Sequence, residues 1–198
     1  MKEIEVLIVG AGGSGQSYFM KQIGQHFSTN SVGDNDKLKH MARPNMELLK
    51  QYNIHKCIFL YNRSFEGICS FYRRNPSWPW IQTMKLGNSG KLTAKDFGSI
   101  DRFFSLVEQR NEDLFSIRYQ FENWVNADLP FPIYFVDFNN IDVDRLSAFL
   151  GCEKNLLNFN VKPRREYPQI RDKYPKAYEL YQKLDKQKEE LATAANKR

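Results

Sequence analysis

The chain predicts an α/β fold of three layers, with helices on both faces of a central parallel sheet. Two observations carry this. Short runs rich in β-branched and aromatic residues at 4–9, 57–61 and 133–136 are apolar at nearly every position, Glu5 excepted, as in strands buried on both faces. Stretches with apolar residues three and four apart alternate with them, as βαβ units require. The composition agrees. The 198 residues are 41% hydrophobic and 26% charged, which excludes bulk disorder. The length suits one domain spanning 1–198, burying roughly 70% of its unfolded surface.

In chain order, Ile4–Val9 is the first strand. The turn Gly10–Gly15 follows at once, and a helix runs from Ser17 to near Gly24 or Phe27. Pro44 opens a short helix reaching Gln51. Cys57–Tyr61 is the second strand, and Ser64–Arg73 a helix stopped by Asn75-Pro76. Residues 77–95 hold Trp78, Pro79, Trp80, Gly87 and Gly90 and form the longest irregular stretch. Stretches of that kind in compact domains are often binding loops. One long helix is expected from Ala94 to Val125. Ile133–Val136 is the third strand, and Val143–Leu150 a helix closed by Gly151. A terminal helix covers Lys173–Leu191, and 192–198 is expected to fray.

No apolar run approaches the ~18 residues of a membrane span. The opening Met-Lys-Glu-Ile-Glu lacks the apolar core of a secretory leader, so a cytoplasmic protein without a membrane anchor is expected. Cys57, Cys69 and Cys152 fit neither a disulfide framework nor a metal spacing and are expected as reduced thiols. The net charge of +6 suits an anionic partner. No motif of a nucleic-acid-binding module is present, and no nucleic-acid partner is expected.

The loop Gly10-Ala11-Gly12-Gly13-Ser14-Gly15-Gln16-Ser17 nearly fits the phosphate loop G-x-x-x-x-G-K-S. Glycines let successive N–H groups converge on one concavity, and the next helix adds its positive end. Gln16 stands where nucleotide hydrolases carry lysine; it donates hydrogen bonds but brings no charge. Asp137, ending a strand, is the feature that a phosphate-loop kinase or nucleotide hydrolase would use to hold metal.

From Lys37 to Arg73 the chain resembles the sulfotransferases that use 3′-phosphoadenosine 5′-phosphosulfate. The matching pieces are His40, Pro44, strand 57–61, Arg63 and Ser70-Phe71-Tyr72. The loop Gly12–Ser17 lies where that family binds the 5′-phosphosulfate. Trp124–Asn139, Leu146–Gly151 and the basic stretch Asn160–Arg165 follow in the family's order. The resemblance implies a phosphate-loop (P-loop NTPase-like) scaffold and sulfuryl transfer to a hydroxyl or amine of a small-molecule or carbohydrate acceptor, with no metal.

Its implied donor site comprises Gly12, Gly13, Ser14, Gly15, Gln16 and Ser17 for the 5′ end. Arg63, Ser70, Lys162, Arg164 and Arg165 would hold the 3′ phosphate. His40 would be the general base. The loop cation usual in the family is replaced by Gly13, with Lys39 (or Lys37 or Lys21) as the candidate substitute. The loop at 77–95 would face the acceptor. A phosphate-loop kinase or hydrolase, or a catalytically silent nucleotide-binding relative, is the alternative.

Overall fold

Three parallel strands form the sheet, in the order β1-β2-β3: Lys2–Gly10, Tyr52–Tyr61 and Ile133–Asp137. The structure is a computed structural model that describes residues 1–74, 76, 93–160 and 165–197. Gly10 pairs with Leu60, and Tyr61 with Asp137, so the strands end together and the turns after them are neighbours. The strands begin earlier than their apolar runs, because Lys2 of β1 already pairs with Tyr52 of β2.

Alternation along the strands sorts the two faces. Val6, Ile8, Ile58, Leu60 and Val136 meet α1 (Gln16–Ile23) and α6 (Val143–Leu150) through Phe19, Met20, Ile23, Leu146 and Leu150. Leu7, Val9, Cys57, Phe59 and Phe135 meet Phe121 and Trp124 of α5 (Ile117–Val125) and Leu49 of the short α2 (Met46–Leu49). A third cluster lies among the helices. It joins Phe65 and Phe71 of α3 (Ser64–Tyr72), Phe103 and Phe104 of α4 (Ile100–Arg110), and Tyr181 of α8 (Pro175–Ala195). The fold is therefore mixed α/β with helices flanking a parallel sheet. Among the described residues, no helix is long and apolar enough to cross a membrane.

Two asparagines close the outer strands. Ile8 N–H donates to Asn30 Oδ1 at 2.8 Å, and Asn30 Nδ2 donates to Ile8 O at 3.1 Å. On the far edge, Phe135 N–H donates to Asn196 Oδ1 at 2.8 Å and Asn196 Nδ2 to Phe135 O at 2.9 Å. Each carboxamide stands in for a peptide of a missing neighbour strand and satisfies groups that an edge would leave open.

Three expectations about elements need correction. The stretch 94–125 is two helices, because Asn111 closes α4 in the left-handed region (φ 52°) and Ser116 precedes α5 at φ 57°. Asp113 fixes that break by accepting from the N–H groups of Phe115 and Arg118 and from Tyr181 Oη. The expected terminal helix is α8, from Pro175 to Ala195, and a separate short helix, α7 (Pro168–Lys173), precedes it. Pro175 begins α8, and the residue before a proline is driven out of helical geometry, as Tyr174 is at φ −129°, ψ 64°. Residues 192–197 do not fray, since Ala192 is buried and Asn196 is tied to β3. Pro44 lies before α2 rather than in its first turn, and Asn45 caps the helix, its side chain accepting from Leu48 N–H. All three cysteines are free thiols; Cys57 and Cys69 are buried.

Candidate functional site

β1 ends in the loop whose glycines carry its shape. Gly13 and Gly15 have φ of 85° and 88°, where side chains are strained. A Cβ on Gly13 would also lie 2.6 Å from the Gly67 carbonyl oxygen of α3, and one on Gly15 would lie 2.5 Å from the Phe138 ring. The loop cation usual in the resembled family could not stand at Gly13 without moving α3. Among the described residues, nothing accepts a hydrogen bond from the N–H groups of Gly15, Gln16 or Ser17 at the start of α1.

The segment Asp34–His40 folds over this loop and is pinned to it. Gly10 N–H and Gln16 Nε2 both donate to Lys39 O, at 3.1 and 3.0 Å. Lys39 N–H donates to Asp34 Oδ1 at 2.9 Å. Lys39 Nζ donates to Ser17 Oγ at 2.9 Å and to Val32 O at 2.8 Å. A cation thus reaches the loop from 22 residues downstream. Gln16 spends its donor on holding Lys39, so it acts as a fastener rather than as a weak lysine. His40 Nδ1 lies 3.1 Å from Gly10 O. A carbonyl only accepts, so Nδ1 carries the proton and Nε2 keeps a lone pair.

These groups open into one cleft of about 650 Å³. Its walls are Gly12, Gly13 and Gly15–Tyr18 of the loop and α1, Val32–Asp34, Lys39, His40, and Ser70, Arg73 and Arg74 across from them. Burial depresses the Lys39 ammonium, and Arg74 depresses it further against the opposing pull of Asp34 and Asp36. Burial also lowers the Arg74 guanidinium, with Arg73 adding to it. Burial takes His40 down to about 4, Lys39 and Arg74 assisting and the Gly10 contact opposing. Asp34, the one carboxylate on these walls among the described residues, is raised by burial and by Asp36. Cations that disfavour each other's charge make a site whose electrostatics an incoming anion would relieve.

The expected residues separate into groups. Gly12, Gly13, Gly15, Gln16, Ser17, Lys39, His40 and Ser70 share the cleft. Ser14 does not line it; it is buried, and its hydroxyl has no partner among the described residues. Arg63 is not brought to the cleft. It is exposed and opens into a different hollow of about 340 Å³ with Asp137, Asp185 and Glu189. The cause lies in α8. Asp185 accepts from Ser64 N–H at 2.9 Å and from Ser64 Oγ at 2.6 Å. Lys188 Nζ donates to Asn62 O at 2.6 Å and to Ser64 Oγ at 2.8 Å.

This pair, with Lys188 buried and Asp185 half-buried, ties the turn after β2 to α8. Arg63 N–H then donates to Asn139 Oδ1, while Asn62 Nδ2 reaches Gly13 O at 2.9 Å. Asp137 lines the same second hollow, away from the loop cleft, with its carboxyl raised by burial. Among the described residues, no three His, Cys, Asp or Glu side chains are grouped to hold a metal ion.

Arg165 is exposed, its guanidinium 5.8 Å from the Tyr167 ring centre, beside a third cavity. Lys162, Arg164 and most of the 77–95 loop, with Trp78 and Trp80, lie outside the described residues. Sequence reasoning missed Arg73, Arg74 and Asp34. The spacing could have found the arginines, since they follow Ser70 by three and four positions and so share its helix face. Comparison with protein-family models, with curated proteins and with solved structures gives no match.

Proposed function

We propose that this protein binds a nucleotide with anionic groups at two ends and transfers sulfuryl from 3′-phosphoadenosine 5′-phosphosulfate to a hydroxyl or amine, on a phosphate-loop scaffold. The observation that carries the reading is the single cleft joining open loop amides and the Lys39 ammonium to Ser70, Arg73 and Arg74. The loop N–H groups and the end of α1 would take the 5′ phosphosulfate. Lys39 would offset charge growing on the bridging oxygen, which is the duty of the missing loop cation. Ser70, Arg73 and Arg74 would take the 3′ phosphate, the part first expected of Arg63. The donor supplies the sulfuryl group. His40, neutral with Nε2 unprotonated, would receive the acceptor's proton as the acceptor oxygen or nitrogen bonds to sulfur. The sulfur–oxygen bond to the leaving bisphosphate then breaks.

Calorimetry tests this. 3′-Phosphoadenosine 5′-phosphate should bind without magnesium and more tightly than ATP with magnesium. Lys39→Ala should weaken it about tenfold or more, as for loss of a charge-assisted hydrogen bond. Arg63→Ala should leave it unchanged. Equal loss in both variants, or preference for ATP with magnesium, counts against the reading.

A further inference from the structure

One peptide of the glycine loop has its carbonyl held from far along the chain. Gly13 lies at φ 85° and Gly15 at 88°, so the Gly13–Ser14 peptide between them turns at little cost. Ser14 Oγ is buried without a partner among the described residues and does not hold it. The polar groups of the peptide are both engaged. Ser14 N–H donates to Ala11 O at 3.2 Å, within the turn. Asn62 Nδ2 donates to Gly13 O at 2.9 Å, from 49 residues downstream. Asn62 is 8% exposed and follows β2 directly. It lines the hollow of Arg63, Asp137 and Asp185 and is not a wall of the anion cleft, whereas Gly13 is. The Gly13 carbonyl is thus directed at a residue outside the cleft. We infer that Asn62 is a positioning residue of the anion site: it holds this carbonyl out of the cleft, so that a bound oxyanion meets loop N–H groups and no carbonyl oxygen. The inference rests on the donor-binding reading above, in which this loop takes the 5′ end.

A carbonyl oxygen carries partial negative charge. Turned toward a phosphate or sulfate, it would repel what neighbouring N–H groups attract. Rotation of the Gly13–Ser14 peptide would do this and would also break the Ser14 bond to Ala11. The hold has to come from outside the loop, because a Cβ at Gly13 would lie 2.6 Å from Gly67 O and no side chain fits there. Asn62 is suited to the task because its own backbone is fixed. Its carbonyl oxygen accepts from Lys188 Nζ at 2.6 Å, and the next two N–H groups donate to Asn139 and Asp185. A carboxamide on that backbone presents a donor at one place. An ionised aspartate of the same shape presents only acceptors and would drive the Gly13 oxygen off. Lys39, Arg73 and Arg74 attract an anion to the cleft, and Asn62 settles which backbone atoms it meets there.

The test combines calorimetry, with inorganic phosphate and with 3′-phosphoadenosine 5′-phosphate, and amide hydrogen exchange read by NMR. The proteins are the wild type, Asn62→Ala and Asn62→Asp. In the wild type the Ser14 amide should be protected with and without phosphate. Both variants should bind either ligand about tenfold more weakly, Asn62→Asp the more so. Exchange at Ser14 should rise by a similar factor, while the Ile8 and Phe135 amides, held by Asn30 and Asn196, keep their wild-type rates. A rise shared by all three amides means that Asn62 only adds stability, and overturns the inference. Unchanged affinity in both variants also overturns it and spares the donor reading. Should neither variant fold, the wild type still decides, since an unprotected Ser14 amide there means that the peptide is not locked. Phosphate binding without nucleotide binding removes the donor reading, and tenfold weaker phosphate in the variants then still supports the role of Asn62. Binding of neither ligand by the wild type removes both.

Discussion

His40 shows how burial changes what a residue can do. Free imidazole titrates near neutrality, which makes histidine an attractive base on sequence alone. Here desolvation, with two cations beside it, takes it to about 4. The group is neutral over the physiological range, with its lone pair fixed on Nε2 by the Gly10 contact. The folded pKa lies below the unfolded one, so between about 6.5 and 4 the unfolded chain binds more protons. Stability contributed by neutral His40 is complete above pH 6.5 and falls as pH drops toward 4. The expected outcome is an NMR titration of His40 with its midpoint near 4, moving upward when phosphate fills the cleft. In His40→Asn the melting temperature should depend less on pH between 6.5 and 4. A midpoint near 6.5 in the free protein would place His40 in water and remove it from the cleft.

At the scale of elements, three pieces distant in sequence hold the sheet and the turns that carry the site. Asn30 and Asn196 each pair with a strand edge through both polar atoms of the carboxamide. Asn196→Ala removes one such pair and leaves the Phe135 peptide without that partner, which should cost about 1–3 kcal/mol in denaturant unfolding. Asn196→Asp keeps the acceptor but loses the donor, and should fall between the two. The Asp185–Lys188 pair of α8 is a firmer hold. Lys188 is 3% exposed, and its ammonium is shared among Asp185, Asn62 O and Ser64 Oγ. Lys188→Met leaves a carboxylate in a poorly solvated place, and breaking such a pair typically costs about 3–5 kcal/mol. Removing Asp185 as well would relieve the stranded charge but would also strip the cap from α3, so the double variant should recover only part of the loss. Full recovery would mean that Asp185 is not the cap its geometry describes.

The same elements explain what the sequence could and could not disclose. The strands were legible because 4–9, 57–61 and 133–136 are apolar at both parities, which only strands buried on two faces require. The loop was legible because its glycines encode backbone shape locally, and Gly13 and Gly15 do lie in the left-handed region. Arg63 was not. Its direction is set by Asp185 and Lys188, more than 120 positions further on, and no local pattern carries that. The break at Asn111–Ser116 was hidden for a related reason. Its apolar spacing continues as in one helix, while the turn depends on Asp113 and a tyrosine from α8.

Over the whole molecule, the charge of +6 matters less than where part of it converges. Lys39, Arg73 and Arg74 meet at one cleft, whose walls also include Gly15, Gln16 and Ser17 at the start of α1. A ligand that binds only the folded state stabilises it by RT ln(1 + [L]/Kd), about 2.7 kcal/mol at a hundred times Kd. Divalent oxyanions should therefore raise the melting temperature more than chloride does at equal ionic strength, since screening alone treats the two salts alike. Sulfate also strengthens apolar burial in any protein, so the comparison needs an internal reference. Lys39→Ala supplies it by keeping the general salt effect and losing the site. The expected outcome is a sulfate-specific rise in the wild type that shrinks in Lys39→Ala and persists in Arg63→Ala. If the rise is the same in all three proteins, the convergence of charge on this cleft holds no anion, and the basic surface acts only as a diffuse field.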